Sequence, residues 1–270
     1  MRMGQLLASL HASEVSPSGS IATGVWHIEA SADRDITIEA GSDVRLVVVD
    51  ADAAAEINID VERGATLRIL NVVTHKSAAT HSIAVSEGAA CYMTQVVCSA
   101  SDSRVVASLM GRDARFEMGG VFVLTDDDQT SVTADVNHMC SDCVSRIKVK
   151  GVASGRSHGS FSGLVYVAPD AQHTDSEQIN RNITIGEGRI ETLPQLEIYA
   201  DDVKCSHGAT VGQMDSDAIF YMRQRGLSLV DAKRLQIEGF VDDVVLHSVI
   251  EGDVVEEVLA GLLADKLSRL

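Results

Sequence analysis

Aromatic side chains are scarce in this 270-residue chain, at 4%, with one Trp, and there are only three prolines. A core built without bulky rings must be thin and filled by small and medium side chains. Basic residues are also few. Lys and Arg number 22 against 39 Asp and Glu, for a formal net charge of -17. Nucleic-acid phosphates need basic contacts, so binding to nucleic acid is excluded as a main role. An acidic surface of this size also fits a saline cytoplasm. No apolar run approaches the length needed to span a bilayer. The stretch Gln5 to Leu10 before His11 is too short for the apolar region of a signal peptide. A cytoplasmic protein without a membrane partner is therefore expected. Five cysteines, an odd count, fit thiols in a reducing compartment better than a disulfide framework. No glycine-rich phosphate loop of the Walker type occurs, so no bound nucleotide is expected. No nucleophile elbow occurs either.

What is present is a β pattern. Apolar residues make up 45% of the chain, enough for one large core and a smaller appendage. From about Ile21 to Tyr199 the apolar residues alternate with polar ones: Ile36 and Ile38, then Val44, Leu46 and Val48, then Ile57, Ile59 and Val61. A period of two marks half-buried strands. Gly41, Gly64, Gly88 and Gly111 recur at spacings of 23, 24 and 23 residues. The first three are each followed by an apolar stretch. Glycine at a fixed offset supplies a turn that tolerates positive φ, and a repeat of this length is what stacked solenoid coils produce. The competing reading is a two-sheet sandwich with regular strand spacing. Beyond Gly111 the period is hard to follow.

Past Gly212 the pattern turns helical. Asp215 can cap a helix through Ala218, Ile219, Tyr221 and Met222 that ends near Gly226. Ser228 and Asp231 have capping-box spacing for a second helix reaching Phe240. Residues 241–267 support one or two more, with Gly252 as a break. The division expected is a short helix or disordered arm over 1–16, a β core over 17–212 and a helical domain over 213–270. The apolar faces of those helices must pack on the solenoid end or on a partner.

Two sets of side chains carry metal-type chemistry. Cys140 and Cys143, preceded by His138, have the two-residue gap of a metal-binding or redox dithiol, provided a turn lies between them. Structural or incidental roles compete with that reading. Cys91 and Cys98 sit in apolar strands and read as inert core residues. Cys205 and His207 are two apart, so in a strand they point to one side. Thiolate and imidazole suit iron or an iron–sulfur species. Asp201 and Asp202 are candidate support for the imidazole. A solvated turn is the bland alternative.

The segment Pro194-Gln195-Leu196-Glu197-Ile198-Tyr199-Ala200-Asp201-Asp202-Val203-Lys204-Cys205-Ser206-His207-Gly208-Ala209-Thr210 closely resembles the hallmark stretch of the SufB/SufD family, scaffold components of the SUF iron–sulfur assembly machinery. The likeness continues through Asp217 to Gly226 and upstream through Gln178-Ile179-Asn180-Arg181-Asn182, and runs from about Gly155 to Phe240. The resemblance implies a right-handed parallel β-helix core with a C-terminal helical domain. It implies dimerisation through the core, as a homodimer or with a SufB-like subunit, and docking of a SufC-like ABC ATPase on the helical domain. Phe220, Tyr221, Arg225 and Phe240 are the docking candidates, and Arg181, Asn182, Asp201 and Asp202 the interface or support candidates. It further implies a transient iron–sulfur cluster or iron near Cys205 and His207, supplied by a sulfur donor and passed to recipient apoproteins. His207 matches the histidine of the SufD branch. The SufB branch carries an essential cysteine after the Arg-Asn pair, but the stretch Arg181 to Gly188 has none. Gly208 stands where SufB-type chains have glutamate, so the segment is SufD-like. The short region before the core favours a reduced, prokaryotic form of the system, an archaeal one included. No catalytic activity is expected of the chain alone. The rivals are a structural or iron-delivery subunit without cluster ligands and a β-solenoid enzyme. A carbohydrate-cleaving solenoid would need paired carboxylates and, usually, aromatic platforms, and aromatics are what the chain lacks.

Overall fold

The computed structural model describes residues 7–8, 10–15, 18–245, 249–250 and 253–269. Among these residues, period-two alternation is realised as seventeen strands in two parallel sheets. One sheet takes the odd strands in order: β1 (Ser13–Glu14), β3 (Gly24–Ala30), β5 (Asp43–Asp50), β7 (Thr66–Val73), β9 (Ala90–Val97), β11 (Arg115–Leu124), β13 (Val144–Ala153), β15 (Asp175–Thr184) and β17 (Lys204–Gly212). The other takes the even strands: β2 (Ser18–Ile21), β4 (Arg34–Ile38), β6 (Ala54–Val61), β8 (Ser77–Val85), β10 (Ser101–Leu109), β12 (Gln129–His138), β14 (His158–Val167) and β16 (Arg189–Ile198). Each strand pairs with the strand two places along the chain, which makes every turn of chain one coil of a parallel β-solenoid and rules out the sandwich. The expected helix or arm over 1–16 falls largely on residues outside those described. Of the rest, residues 7 and 8 are helical and Ser13–Glu14 already pair with β3.

The coil length explains where the repeat was legible. Val44 pairs with Leu67, 23 residues on, and Leu67 with Cys91, 24 on. Arg115 then pairs with Val144, 29 on, and Val144 with Asp175, 31 on. The coils grow after β11, so a fixed period fails there. Gly111 also proves to be misassigned. Gly41, Gly64 and Gly88 do sit at left-handed φ of 69°, 67° and 63°, but the matching corner position after β10 is Asp113, φ 58°. Gly111 is required for close approach instead, because a Cβ there would lie 2.2 Å from the Glu87 nitrogen.

Inward side chains stack coil on coil. One row runs Val44, Leu67, Cys91, Phe116, and the next Leu46, Ile69, Met93, Met118, all buried. Cys91 is sealed in this interior, and burial pushes its thiol pKa well up, as expected of an inert core cysteine. Each such buried side chain contributes about 1.5–3 kcal/mol of hydrophobic stabilisation.

Three helices follow: α1 (Ser216–Gln224), α2 (Leu229–Val245) and α3 (Asp253–Leu267). The caps are those read from the sequence. The Asp215 carboxylate accepts from the Asp217 and Ala218 amides, and Ser228 Oγ accepts from the Asp231 amide. Their seat differs from the expectation of the solenoid end. Ile237, Val241 and Val244 of α2 and Val258 and Leu259 of α3 lie over the flank, on the outward residues Leu70, Val72, Val96, Val121 and Val152. These residues bury the outward face of the second halves of β7, β9, β11 and β13, and Cys98 is buried under the same cover.

A charged clamp fixes α2. Lys150 projects outward from β13, yet its side chain is only 5% exposed. Its Nζ donates to Asp243 Oδ2 and to the Phe240 carbonyl at 2.6 and 2.7 Å, and lies 4.7 Å from the Phe240 ring centre. Lys148 Nζ holds the other oxygen of Asp243 at 2.6 Å. Hydrogen bonds from Lys148 and Lys150 pull the Asp243 pKa down to about 2. A depressed carboxyl stabilises the fold above its unfolded value near 3.8 and loses that contribution as pH falls toward about 2. Asp243→Asn should leave Lys150 buried without its counter-charge and cost on the order of 3 kcal/mol, read in urea unfolding at pH 7. The difference between variant and parent should shrink as pH is lowered from 4 to 2. Equal stability at pH 7 would refute the clamp.

Candidate functional site

The inward rows change character at the C-terminal end. The first continues from Phe116 to Ser145, Ser176 and Cys205, and the second from Met118 to Ile147, Gln178 and His207. A third ends Val149, Asn180, Ala209. Ser145, Ser176, Gln178, Asn180 and Asn182 are all buried, so the last two coils have a polar interior. Buried polar groups need partners. Ser145 Oγ and Ser176 Oγ share a 2.8 Å hydrogen bond, and Ser145 Oγ also meets His138 Nε2 at 2.8 Å. Gln178 Nε2 donates to the Gly163 carbonyl at 3.2 Å, where any Cβ on Gly163 would approach that nitrogen to 2.7 Å. Asn180 Nδ2 donates to the Val149 carbonyl, and Asn182 Nδ2 to Asn180 Oδ1 and to the Thr210 carbonyl of β17. Sequence reasoning missed Ser145, Ser176, Gln178 and Asn180. The available signal was the inverted alternation of Gln178-Ile179-Asn180, with polar residues at the inward phase.

β17 is the edge strand of its sheet, and β16 that of the other. Among the described residues, Cys205 and His207 therefore cap their rows with no coil above them. They share one face, about 7 Å apart along the strand. Cys205 is half-buried against the cluster of Val165, Val167, Ala168, Ala171 and Ala200, and His207 is exposed. Burial raises the Cys205 thiol pKa, opposed by a hydrogen bond with the Ser176 backbone and reinforced by the nearby Asp175 charge. A groove of about 290 Å³ beside the thiol is lined by Arg146, Asp175, Glu177 and Lys204. Around this open end Leu193 and Tyr199 are each 59% exposed, with Ile198 and Val211 also exposed.

The other candidates divide. Cys140 Sγ donates to the Met110 carbonyl at 3.1 Å and Cys143 Sγ to the Gly111 carbonyl at 3.2 Å, at a corner of the solenoid. His138 points inward to Ser145, with its pKa lowered to about 4 by burial. Asp202 does not support His207. Its carboxylate lies 3.3 Å from His173 Nε2, and its amide donates to Gln172 Oε1. Asp201 is exposed, and Arg181 points outward along the groove beneath α2. Phe220 and Tyr221 are exposed on α1, with the Arg225 guanidinium 4.9 Å from the Tyr221 ring centre. Phe240 instead packs on the solenoid flank. Among the described residues no group of three or more His, Cys, Asp or Glu side chains could hold a metal ion, so one chain brings two donors, not four, to the open coil. No helix among the described residues is long and apolar enough to cross a membrane.

A polar-lined solenoid ending in an unroofed Cys-x-His strand can be compared with known proteins. The profile of the SUF system FeS cluster assembly, SufBD core domain, matches residues 24–240. The chain belongs to the SufBD family. The match reaches well upstream of Gly155, where the sequence shared only the solenoid pattern. Among relatives, this SufBD chain is 36% identical to iron–sulfur cluster assembly protein SufD of Escherichia coli K12 over 153 residues, 56% of this chain and 36% of that protein. It is 48% identical over 86 residues to the SufBD family protein slr0076 of Synechocystis, covering 32% of this chain and 19% of that one. It is 37% identical over 95 residues to the chloroplastic protein ABCI7 of Arabidopsis thaliana, covering 35% and 20%. The SufBD chain thus spans about a third or less of the length of these relatives.

Proposed function

We propose that this chain is a scaffold subunit in iron–sulfur cluster assembly, and that Cys205 and His207 of the last coil hold iron or nascent cluster as cargo. The observation that carries the reading is their position at the ends of two adjacent inward rows on an edge strand. Thiolate and imidazole are ligands that iron accepts. Two donors per chain leave coordination incomplete, so the site is completed by a second copy or by a SufB-like subunit docked on the same open end. The exposed Leu193, Ile198, Tyr199 and Val211 around it support such a contact. In this role the chain is not a catalyst. It works in the cytoplasm, receives sulfur from a donor protein and passes cluster to apoproteins. A structural or iron-delivery subunit is the second reading, favoured by the thiol's burial.

Binding metal requires the Cys205 proton to leave, and a raised pKa makes that harder at neutral pH. Loading should therefore strengthen as pH rises from 6 to 8.5. In anaerobic reconstitution with iron and sulfide, Cys205→Ser and His207→Ala should each retain several-fold less iron and sulfide than the parent, with thermal midpoints nearly unchanged. Variants that load like the parent would leave only the structural reading.

The helical domain supplies the second contact. Phe220 and Tyr221 of α1, with Leu229, Val230 and Leu235 of α2, form an exposed apolar surface that the solenoid does not cover. We assign it to docking of a SufC-like ABC ATPase. Phe220→Asp should weaken binding of that ATPase at least tenfold in calorimetric titration while leaving the melting curve in place. Unchanged affinity would reject this surface.

A further inference from the structure

The cysteines of the solenoid corner take no part in the reading above, yet their geometry is specific. Corners leading into odd strands are tight turns whose third residue is left-handed: Gly64, Gly88, Asp113, Asp142 and His173. Two of them close with 3.0 and 3.1 Å hydrogen bonds from fourth residue to first, Ala65 to Glu62 and Ala89 to Ser86. In four of the five, the amide of the left-handed residue donates to the next coil: Gly64 to Glu87, Gly88 to Arg112, Asp142 to Gln172 and His173 to Asp202. Cys140 and Cys143 are thus the first and fourth residues of such a turn. Their Cα atoms lie within about 7 Å, in the range that a disulfide spans. Their side chains also converge, because the two thiols donate to consecutive carbonyls, Met110 and Gly111, of the coil beneath. Cys140 is partly exposed and Cys143 is fully buried.

We propose that Cys140 and Cys143 form a reversible redox pair that hydrogen peroxide closes to a disulfide within this turn. The more accessible sulfur, Cys140, attacks a peroxide oxygen. The O–O bond breaks, and Cys140 becomes a sulfenic acid as one water leaves. The Cys143 sulfur then attacks the Cys140 sulfur. The S–O bond breaks, the S–S bond forms, and the thiol proton departs with the hydroxide as a second water. Two thiols have given two electrons to one hydrogen peroxide, and a dithiol reductant returns them. Burial pushes the Cys143 thiol to about 11, which suits a resolving thiol that stays protonated until its neighbour is oxidised. Opening and closing of this turn bears on the last coil through Asp142. Its carboxylate pairs with Arg112 and lies 3.0 Å from His173 Nδ1, and the same imidazole meets Asp202, three residues before Cys205.

The test uses the full chain, titrated with hydrogen peroxide, alkylated in denaturant without reductant and digested with trypsin. Residues 116–146 form one tryptic peptide that contains Cys140 and Cys143 and no other cysteine. The expected product is this peptide with neither cysteine alkylated and two hydrogens fewer, restored to two alkylated thiols by a dithiol. Cys143→Ser, and Cys143→Ala if the serine variant melts early, should lose that product and stop at an oxidised Cys140. Two fully alkylatable thiols in the parent at peroxide levels that oxidise Cys205 would overturn the proposal. So would a disulfide joining this peptide to another.

Discussion

A parallel solenoid buries its inward side chains only by laying the next coil on top of them. Everything else in this chain follows from that stacking. Inside the array each coil is roofed and floored, and the rows from Val44 to Phe116 and from Leu46 to Met118 are sealed. At the last coil the stacking stops, and whatever stands at the end of a row is half-covered. Evolution of such an array leaves two places where new chemistry costs little stability, the flank and the final coil. The flank here is closed by α2 and α3, through apolar packing and the Lys148–Asp243–Lys150 clamp. The final coil stays open, and it carries Cys205 and His207.

The polar interior beneath that coil fits the same logic. Buried Ser, Gln and Asn side chains also occur in the earlier coils, where Gln95 Nε2 donates to Ser103 Oγ and Asn71 is buried, but they crowd the last coils. In the last coils the burial is offset because each amide nitrogen finds a carbonyl or a second amide, as Asn182 does with Asn180 and Thr210. The Asn182 contact also ties β17 to the coil below, so the polar rows hold the edge strand in register under the two candidate ligands.

How much of this was legible depended on whether the information was local. Period-two alternation, the left-handed glycines at 41, 64 and 88, and the Asp215 and Ser228 caps are all short-range, and they read correctly. The coil repeat was legible while coils were 23–24 residues long and was lost when they lengthened to 29–31. Gly111 misleads because from that corner on the left-handed role passes to Asp113, Asp142 and His173, residue types that enter the region more readily than most others with a Cβ. That Cys205 and His207 share a face follows from a spacing of two. What lies under them, Ser176 and Gln178, is 29 residues away and needs the coil register. The seat of the helices had a signal as well. Apolar residues at the outward phase near the strand ends, Leu70 and Val72 of β7, Val96 of β9 and Val121 and Val123 of β11, do not suit a wet face, but only the structure shows that the cover comes from the chain's own C-terminal helices.

The account's central claim is that the last coil is left open to receive another subunit and to complete a two-donor site. Sedimentation velocity of the purified chain tests it most directly, run across a range of concentrations beside a Leu193→Asp variant. The account predicts a dimer for the parent and a folded monomer for the variant, whose charge lands on the exposed rim of β16. A parent that stays monomeric at every concentration, or a variant that dimerises as well as the parent, would contradict it.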